Sequence, residues 1–442
     1  MTEQTFEVRS IEAARQQAPL AQELSWLQPV REAGLEQLAR TGFPQRKTEA
    51  WKYTSIYPLT QGDFLRPAPA QGTGSDISIP GLDSYRLVFH NGVLDSQRSQ
   101  LDGLPFELIP FRQANAEQRE LIRQHLGSLI QGELHPFALL NSGWLQDGAF
   151  LRIGKDVVVD KPIQVVFDHG TADVSFSAQP RLFVLLERHA QGVLFEQHLG
   201  QPESAEVFSN TVVEVRLREG AKLTHYQLNI EPESVLHVGN VQVSLAAHAE
   251  YESHQFAVGS RLKRRDLQVN LTEAGASARL FGIYLGRNKQ HVDFRTVLDH
   301  QAPHCTSQES VKGIVRDDAR AVFNGRIHIH RHAQKTSAEM SNKNLLLSRT
   351  AEVNTKPELE IYADDVKCAH GATVGQLDKN SLFYLRSRGI SVKDACQILS
   401  DAFVYEVLDQ MPLEAVRDYT AQWVERFHDH PVTPDPLLAE EI

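Results

Sequence analysis

The 442-residue sequence predicts a mainly β protein with a solenoid core, preceded by a helix-rich segment and followed by a helical one. Three observations carry this. Short runs through the middle of the chain alternate apolar and polar residues, at 213–217, 241–245 and 267–271, so each buries one face of a sheet. A small-residue turn follows each run, and the turn alanines Ala221, Ala249 and Ala276 recur at spacings of 28 and 27 residues. Similar turns stand at His189-Ala190, Asp318-Ala319 and Thr350-Ala351. A turn repeated about every 30 residues in strand-rich sequence is the signature of coils that bury their apolar faces on one another. Third, both ends of the chain change to helical spacing. The competing arrangement is a two-sheet sandwich, whose hairpin turns recur about every 8–12 residues. Asn324-Gly325 is the only clear two-residue hairpin signal in this region, so the solenoid is favoured.

In chain order, residues 12–24 and 30–41 carry leucines and alanines at helical spacing. Pro19 breaks or kinks the first, and Gly42-Phe43-Pro44 stops the second. Residues 67–74 are rich in Pro, Gly, Ala and Gln and form a linker. Residues 115–129 predict a further helix with Asn115 as its N-cap. The solenoid is placed at 150–389, between an N-terminal segment 1–149 and a C-terminal segment 390–442. In the last segment Ser391 is the N-cap, with Asp394 in the first turn. Val392, Ala395, Cys396, Leu399, Phe403 and Leu408 make an apolar stripe, and Pro412 suits the first turn of a second helix. Such a stripe either packs on the chain's own core or presents a docking surface.

Composition narrows the function. Hydrophobic residues make up 41% and charged residues 23%, a balance that supports a large soluble core. The net charge of −11, from 45 basic and 56 acidic residues, argues against nucleic acid or an anionic membrane as partner. The first residues lack the basic start and apolar stretch of a secretory leader, and no apolar run reaches the ~18 residues of a membrane span. A cytoplasmic setting is expected. Three cysteines, Cys305, Cys368 and Cys396, show no C-x-x-C spacing and are too few to ligate a four-iron cluster from this chain alone. Phosphate-loop, nucleophile-elbow, zinc-protease and dinucleotide fingerprints are absent, so no enzymatic activity is expected of the chain by itself.

Two constellations carry chemistry. Cys368 and His370 are two apart and share a strand face, offering a thiolate and an imidazole. Lys367 beside them favours the thiolate form. Two donors leave a tetrahedral site incomplete, so a metal there needs ligands from elsewhere; the plainer alternative is a half-buried cysteine beside a turn histidine. In the run Ile327-His328-Ile329-His330-Arg331-His332, alternation places three histidines on one face, as metal donors or as an ordinary polar surface. Arg326 and Arg331 count against a cation. Asp364 and Asp365 point to opposite faces and share no site.

The run Asp364-Asp365-Val366-Lys367-Cys368-Ala369-His370-Gly371-Ala372-Thr373-Val374-Gly375 resembles the SufB/SufD family of iron–sulfur cluster assembly scaffolds. So do Phe383-Tyr384-Leu385-Arg386-Ser387-Arg388-Gly389-Ile390, which in the family closes the core, and Arg320-Ala321-Val322-Phe323-Asn324-Gly325. Asn344-Leu345-Leu346-Leu347, Ala351-Glu352-Val353-Asn354-Thr355-Lys356-Pro357 and, near the start, Phe43-Pro44-Gln45-Arg46-Lys47-Thr48-Glu49-Ala50-Trp51-Lys52-Tyr53-Thr54 complete the resemblance. Chain length, cysteine count and the Lys-Cys-Ala-His form of the motif point to the SufD branch. The resemblance implies a right-handed parallel β-helix, pairing with SufB through the β-helix edge, and docking of the ATPase SufC on the C-terminal helical segment. Leu399, Phe403, Val407, Leu408 and Met411 are the expected docking residues. It implies that a nascent cluster or iron is held transiently at the SufB interface by His370, with Cys368 nearby, and that ATP hydrolysis lies in SufC. A homodimer of the isolated chain stays open. Reduced FAD belongs to the family's complex as a whole; nothing assigns it to this chain. The histidine run is not explained by the resemblance. The alternatives are a β-helix enzyme acting on polysaccharide and a self-associating structural β-helix.

Overall fold

The computed structural model describes residues 5–16, 22–45, 47–66, 72–100, 102–201 and 205–428. Parallel strands stack into two long sheets. The first contains Tyr85–His90, Ile163–His169, Gln191–Gly200, Lys222–Asn229, Glu250–Ala257, Ser277–Gly286, Thr306–Val315, Thr336–Leu346 and Val366–Gly375, in that stacking order. The second contains Gly148–Ile153, Arg181–Leu186, Val212–Leu217, Val235–Leu245, Leu262–Leu271, His291–His300, Arg320–Ile329 and Glu352–Ile361. The chain alternates between the sheets, so each coil gives one strand to each. The result is a parallel β-solenoid of about eight coils.

The coils stack in register because identical side-chain classes fall at the same step of each. One inward column runs Val215, Val243, Val269, Leu298, Ile327 and Leu359 through six consecutive coils. Most of its members lie in the apolar interior between the sheets, and Leu359 packs against that interior. The corners explain the alanine repeat. Gly220, His248, Gly275 and His304 turn the chain with positive φ, and the next residue of each, Ala221, Ala249, Ala276 and Cys305, points inward with no exposed surface. Only a small side chain fits there, and Cys305 fills that position in its coil, donating to the Glu273 and Pro303 carbonyls.

Helices cover the outer faces. Helices α1 (Phe6–Gln16), α2 (Gln28–Thr41) and α5 (Pro136–Gly143) join Phe208, Leu236, Val238 and Leu262 of the second-sheet side in one apolar cluster. Between them in sequence lie the short α3 (Tyr57–Gln61) and α4 (Ala116–His125). Helices α6 (Lys379–Ser387), α7 (Val392–Leu408) and α8 (Glu414–His428) end the described chain, and α7 and α8 pack on Phe195, Tyr226, Phe256 and Ile283 of the first sheet. Among the described residues no helix is long and apolar enough to cross a membrane.

The family-like motif near the start is a clasp. The Trp51 ring lies 3.7 Å from the Arg264 guanidinium, which donates to Asp293 and Asp266 and, at 2.9 Å, to the Ala50 carbonyl. The Thr54 hydroxyl donates to the same Asp293 at 2.5 Å. A buried guanidinium is tolerated because two carboxylates, a carbonyl and a ring face surround it.

The termini of the rod differ. At the start, short antiparallel strands finish both sheets: Val93–Leu94 on Tyr85–His90, and Glu107–Pro110 on Gly148–Ile153. At the other end Glu352–Ile361 and Val366–Gly375 are outermost, with no described strand beyond them.

Several sequence expectations change. Asn324-Gly325 is not a turn but lies inside Arg320–Ile329, where a Cβ on Gly325 would come within 2.6 Å of the Met340 sulfur. The first helix is Phe6–Gln16, and Pro19 lies outside the described residues, as do most of 67–74. Asn115 caps its helix as expected, in a capping box with Gln118, but the helix stops at His125, and Gly127 follows with φ of 80°. Tyr85–His90, from the N-terminal segment, pairs in parallel with Ile163–His169 and so belongs to the solenoid sheet. Helical structure resumes at Lys379, and the segment likened to a core closure is α6, whose Phe383 and Tyr384 are exposed. Ser391 caps α7 as expected, its hydroxyl accepting from the Asp394 amide.

Candidate functional site

The outermost coil is the part of the solenoid whose surface is least covered. Residues 369–376 are all exposed, and Val366–Gly375 uses its ladder bonds on one side only. An unpaired edge of this length is a template for another chain's strand. Cys368 and His370 stand on it opposite Ala338 and Met340, which are buried in the interior. Alternation therefore turns both toward the mouth of the solenoid. Cys368 is half-buried against the interior cluster, while His370 is exposed. Burial pushes the Cys368 thiol up, with a hydrogen bond from the Ala338 backbone offsetting part of this. Lys367 does not supply the expected activation: one step along the strand, it faces the other way. Asp365 pairs with Lys335 at the preceding corner and plays no part in this mouth.

The histidine run divides. His328 lies on the strand and His330 just past its end, and both converge on Asp299 of the preceding coil. His328 Nδ1 is 2.7 Å and His330 Nε2 2.9 Å from the same carboxylate oxygen. His332 falls in the following turn and leaves the shared face. Arg326 is committed to Glu360 at 2.5 Å and not to the histidines. Asp299 was illegible in sequence because it lies 29 residues upstream and arrives only through coil stacking.

A second convergence, His198, Glu231 and His237, is fully buried. Lys263 reaches Glu231 at 3.2 Å, and Arg265 meets His237 Nε2 at 3.3 Å. Burial lowers His237 to about 3, and Glu231, beside His237 and Lys263, stays well below the usual carboxylate range despite its burial. These groups form an internal ionic network in which cations already stand beside the carboxylate and the His237 ring.

In the C-terminal hairpin, Val407, Leu408 and Met411 are buried against the first sheet, so the structure removes them as free docking residues. Leu399 and Phe403 keep partial exposure. Lys312, itself buried, holds this hairpin by donating to the Phe403 carbonyl at 2.7 Å and pairing with Glu406.

Comparison with known proteins covers nearly the whole chain. Residues 169–403 match the family described as SUF system FeS cluster assembly, SufBD core domain, and residues 13–165 match the SufBD protein N-terminal region. The chain is 34% identical over 397 residues to the iron–sulfur cluster assembly protein SufD of Escherichia coli, spanning 88% of this chain and 89% of that one. It is 30% identical over 429 residues to a SufBD family protein of Synechocystis, spanning 94% of each. To the chloroplastic protein ABCI7 of Arabidopsis thaliana it is 31% identical over 408 residues, 89% of this chain and 84% of that one.

Proposed function

Because this chain belongs to the SufBD family of iron–sulfur cluster assembly proteins, we propose that it acts as a SufD-type scaffold whose outermost coil pairs with a SufB-type partner and shares a nascent cluster with it. The carrying observation is that an unpaired strand edge bears a thiol and an imidazole on one face at the mouth of the solenoid. Two donors of this softness hold iron or a cluster incompletely, and a second chain added along the edge completes the set. In this reading the cluster is cargo, not a resident cofactor. A Cβ placed on Gly371 or Gly375 meets nothing within 4 Å in this chain, so its own packing does not demand glycine there. Close approach by another backbone does.

His370 is exposed and presents its imidazole directly, whereas burial holds the Cys368 thiol up, so that metal binding there must displace a proton. A SufC-type ATPase docks on the C-terminal helices through what remains exposed, Leu399, Phe403 and Ile398, and nucleotide hydrolysis belongs to that partner. Its movement biases the edge between closed and open arrangements. Reduced FAD, where present, is held by the assembled complex, and the complex works in the cytoplasm. A glycan-acting enzyme is not favoured for a chain of this family.

The test is co-purification with SufB and SufC, scored for complex and for iron and sulfide content, using wild-type, His370→Ala and Cys368→Ser chains. The expected result is an intact complex with cluster content lost in His370→Ala and lowered in Cys368→Ser. Full cluster content in His370→Ala removes that residue from the reading, and failure of any complex to form removes the scaffold role.

A further inference from the structure

Asp299, His328 and His330 are not needed by the scaffold reading, yet their geometry is specific. They come from two successive coils at one corner of the solenoid, with Asp299 and His328 directly opposite across parallel strands. One donor atom from each of the three residues lies within 4.8 Å of the others. The rings stand 4.3 Å apart between centroids, and both direct a nitrogen at one oxygen of Asp299. The other carboxylate oxygen accepts from the Gln301 amide at 2.7 Å, which fixes the carboxylate plane. Tyr362 of the next coil sets its ring edge-on to His328 at 5.6 Å. The side chains are 12%, 22% and 43% exposed in the order Asp299, His328, His330, so the cluster opens gradually toward solvent.

We propose that Asp299, His328 and His330 form a surface site for one divalent first-row transition-metal ion, of which zinc and ferrous iron are the chemically apt examples. Two imidazoles and a carboxylate suit these ions and not magnesium or calcium, which want oxygen shells. The ion takes the place of the two N–H groups now shared on Asp299. Each ring then carries its proton on its far nitrogen, so neutral rings lose no proton. Three protein ligands leave positions open to water or to an incoming donor. The contrast with His198, Glu231 and His237 decides the choice. There the cations Lys263 and Arg265 stand 3.2 Å from Glu231 and 3.3 Å from His237, whereas among the described residues no lysine or arginine pairs with Asp299. From Tyr362 the chain runs directly into the strand of Cys368 and His370, placing the site beneath the start of the outermost coil. The site does not depend on the scaffold reading.

The experiment strips the full chain with a chelator and titrates it with cobalt(II), read by visible absorption, and with zinc against a chromophoric chelator. Wild type, His328→Gln/His330→Gln, Asp299→Asn and Cys368→Ser/His370→Ala are compared, each with a thermal melt to verify folding. The expected result is one equivalent bound by wild type and by Cys368→Ser/His370→Ala. In the two corner variants that equivalent should be lost or weakened by more than about tenfold. Wild type without saturable binding, an unchanged equivalent in His328→Gln/His330→Gln, or loss of binding in Cys368→Ser/His370→Ala alone each overturns the proposal. His330→Gln, altering the most exposed ligand, serves if a double variant fails to fold.

Discussion

Glu309 sits inside the solenoid, in the inward column Leu280, Glu309, Met340, His370, one coil below Met340 and two below the mouth. Neither of its oxygens has a hydrogen-bond partner among the described residues, and the Thr296 hydroxyl nearby does not reach bonding geometry. Burial pushes its carboxyl up from 4.5 to about 7, with Thr296 offsetting only part of that. At about 1.4 kcal/mol per pKa unit, the gap corresponds to about 3 kcal/mol. The sign follows from which state ionises first. Below 4.5 both folded and unfolded chains carry the proton and the carboxyl costs nothing differential. As pH rises from 4.5 to about 7 the unfolded chain ionises first, so folding stability falls, and the loss levels off above 7. Glu309→Gln keeps the shape of the protonated acid and cannot ionise. Its stability advantage over wild type should therefore be small at pH 5 and grow by about 2–3 kcal/mol by pH 8. For a chain of this length that is about 3 °C in melting temperature. Thermal unfolding followed by circular dichroism at pH 5, 6, 7 and 8 measures it. A wild-type-to-variant gap that stays constant with pH, or a wild type that gains on the variant as pH rises, refutes the reasoning.

Two further outcomes follow from packing. Trp51→Ala removes a ring that is 5% exposed and stacked on Arg264, and should cost about 3–5 kcal/mol. Hydrogen exchange across 47–66 should rise, and unchanged protection there would show that Trp51 does not hold the clasp. Lys312→Ala removes the ammonium that ties the Phe403 carbonyl of α7 and Glu406 to the sheet and should cost about 2–4 kcal/mol, chiefly by loosening α7. Limited proteolysis between the last strand and α7 detects it, and cleavage no faster than in wild type counts against the lysine as a fastener.

Most of the solenoid was legible because its determinants are local and periodic. The alanines at 221, 249 and 276 mark corners where the chain turns with positive φ and the next side chain must be small. Alternation identified the strands 213–217, 241–245 and 267–271 inside longer ones. The same logic misled at Asn324-Gly325, where glycine answers to Met340 and not to a reversal of the chain. Tyr85–His90 went unseen because it is short and its partner lies far along the chain. At the outermost coil the pairing of Cys368 with His370 was visible in their spacing. The burial that raises the thiol was not, because it is set by neighbours from the preceding coil. Asp299 and Glu309 escaped for a related reason: stacking makes residues about 30 apart into nearest neighbours, and a single sequence does not say which ones align. The stripe of α7 was read correctly as apolar, but whether it faced inward or outward depended on the sheet beneath it.

The unlike termini of the rod bear on how it could be extended. Short reversed strands interrupt the parallel stacking at one terminus, whereas among the described residues the strands at the other, Glu352–Ile361 and Val366–Gly375, are still parallel and outermost. A reversed strand does not repeat the geometry of the coils, so only the other face offers the next coil a matching template. Open-ended stacks of coils are prone to fibre formation, and a stack with one parallel face is extended in register less readily than a stack with two.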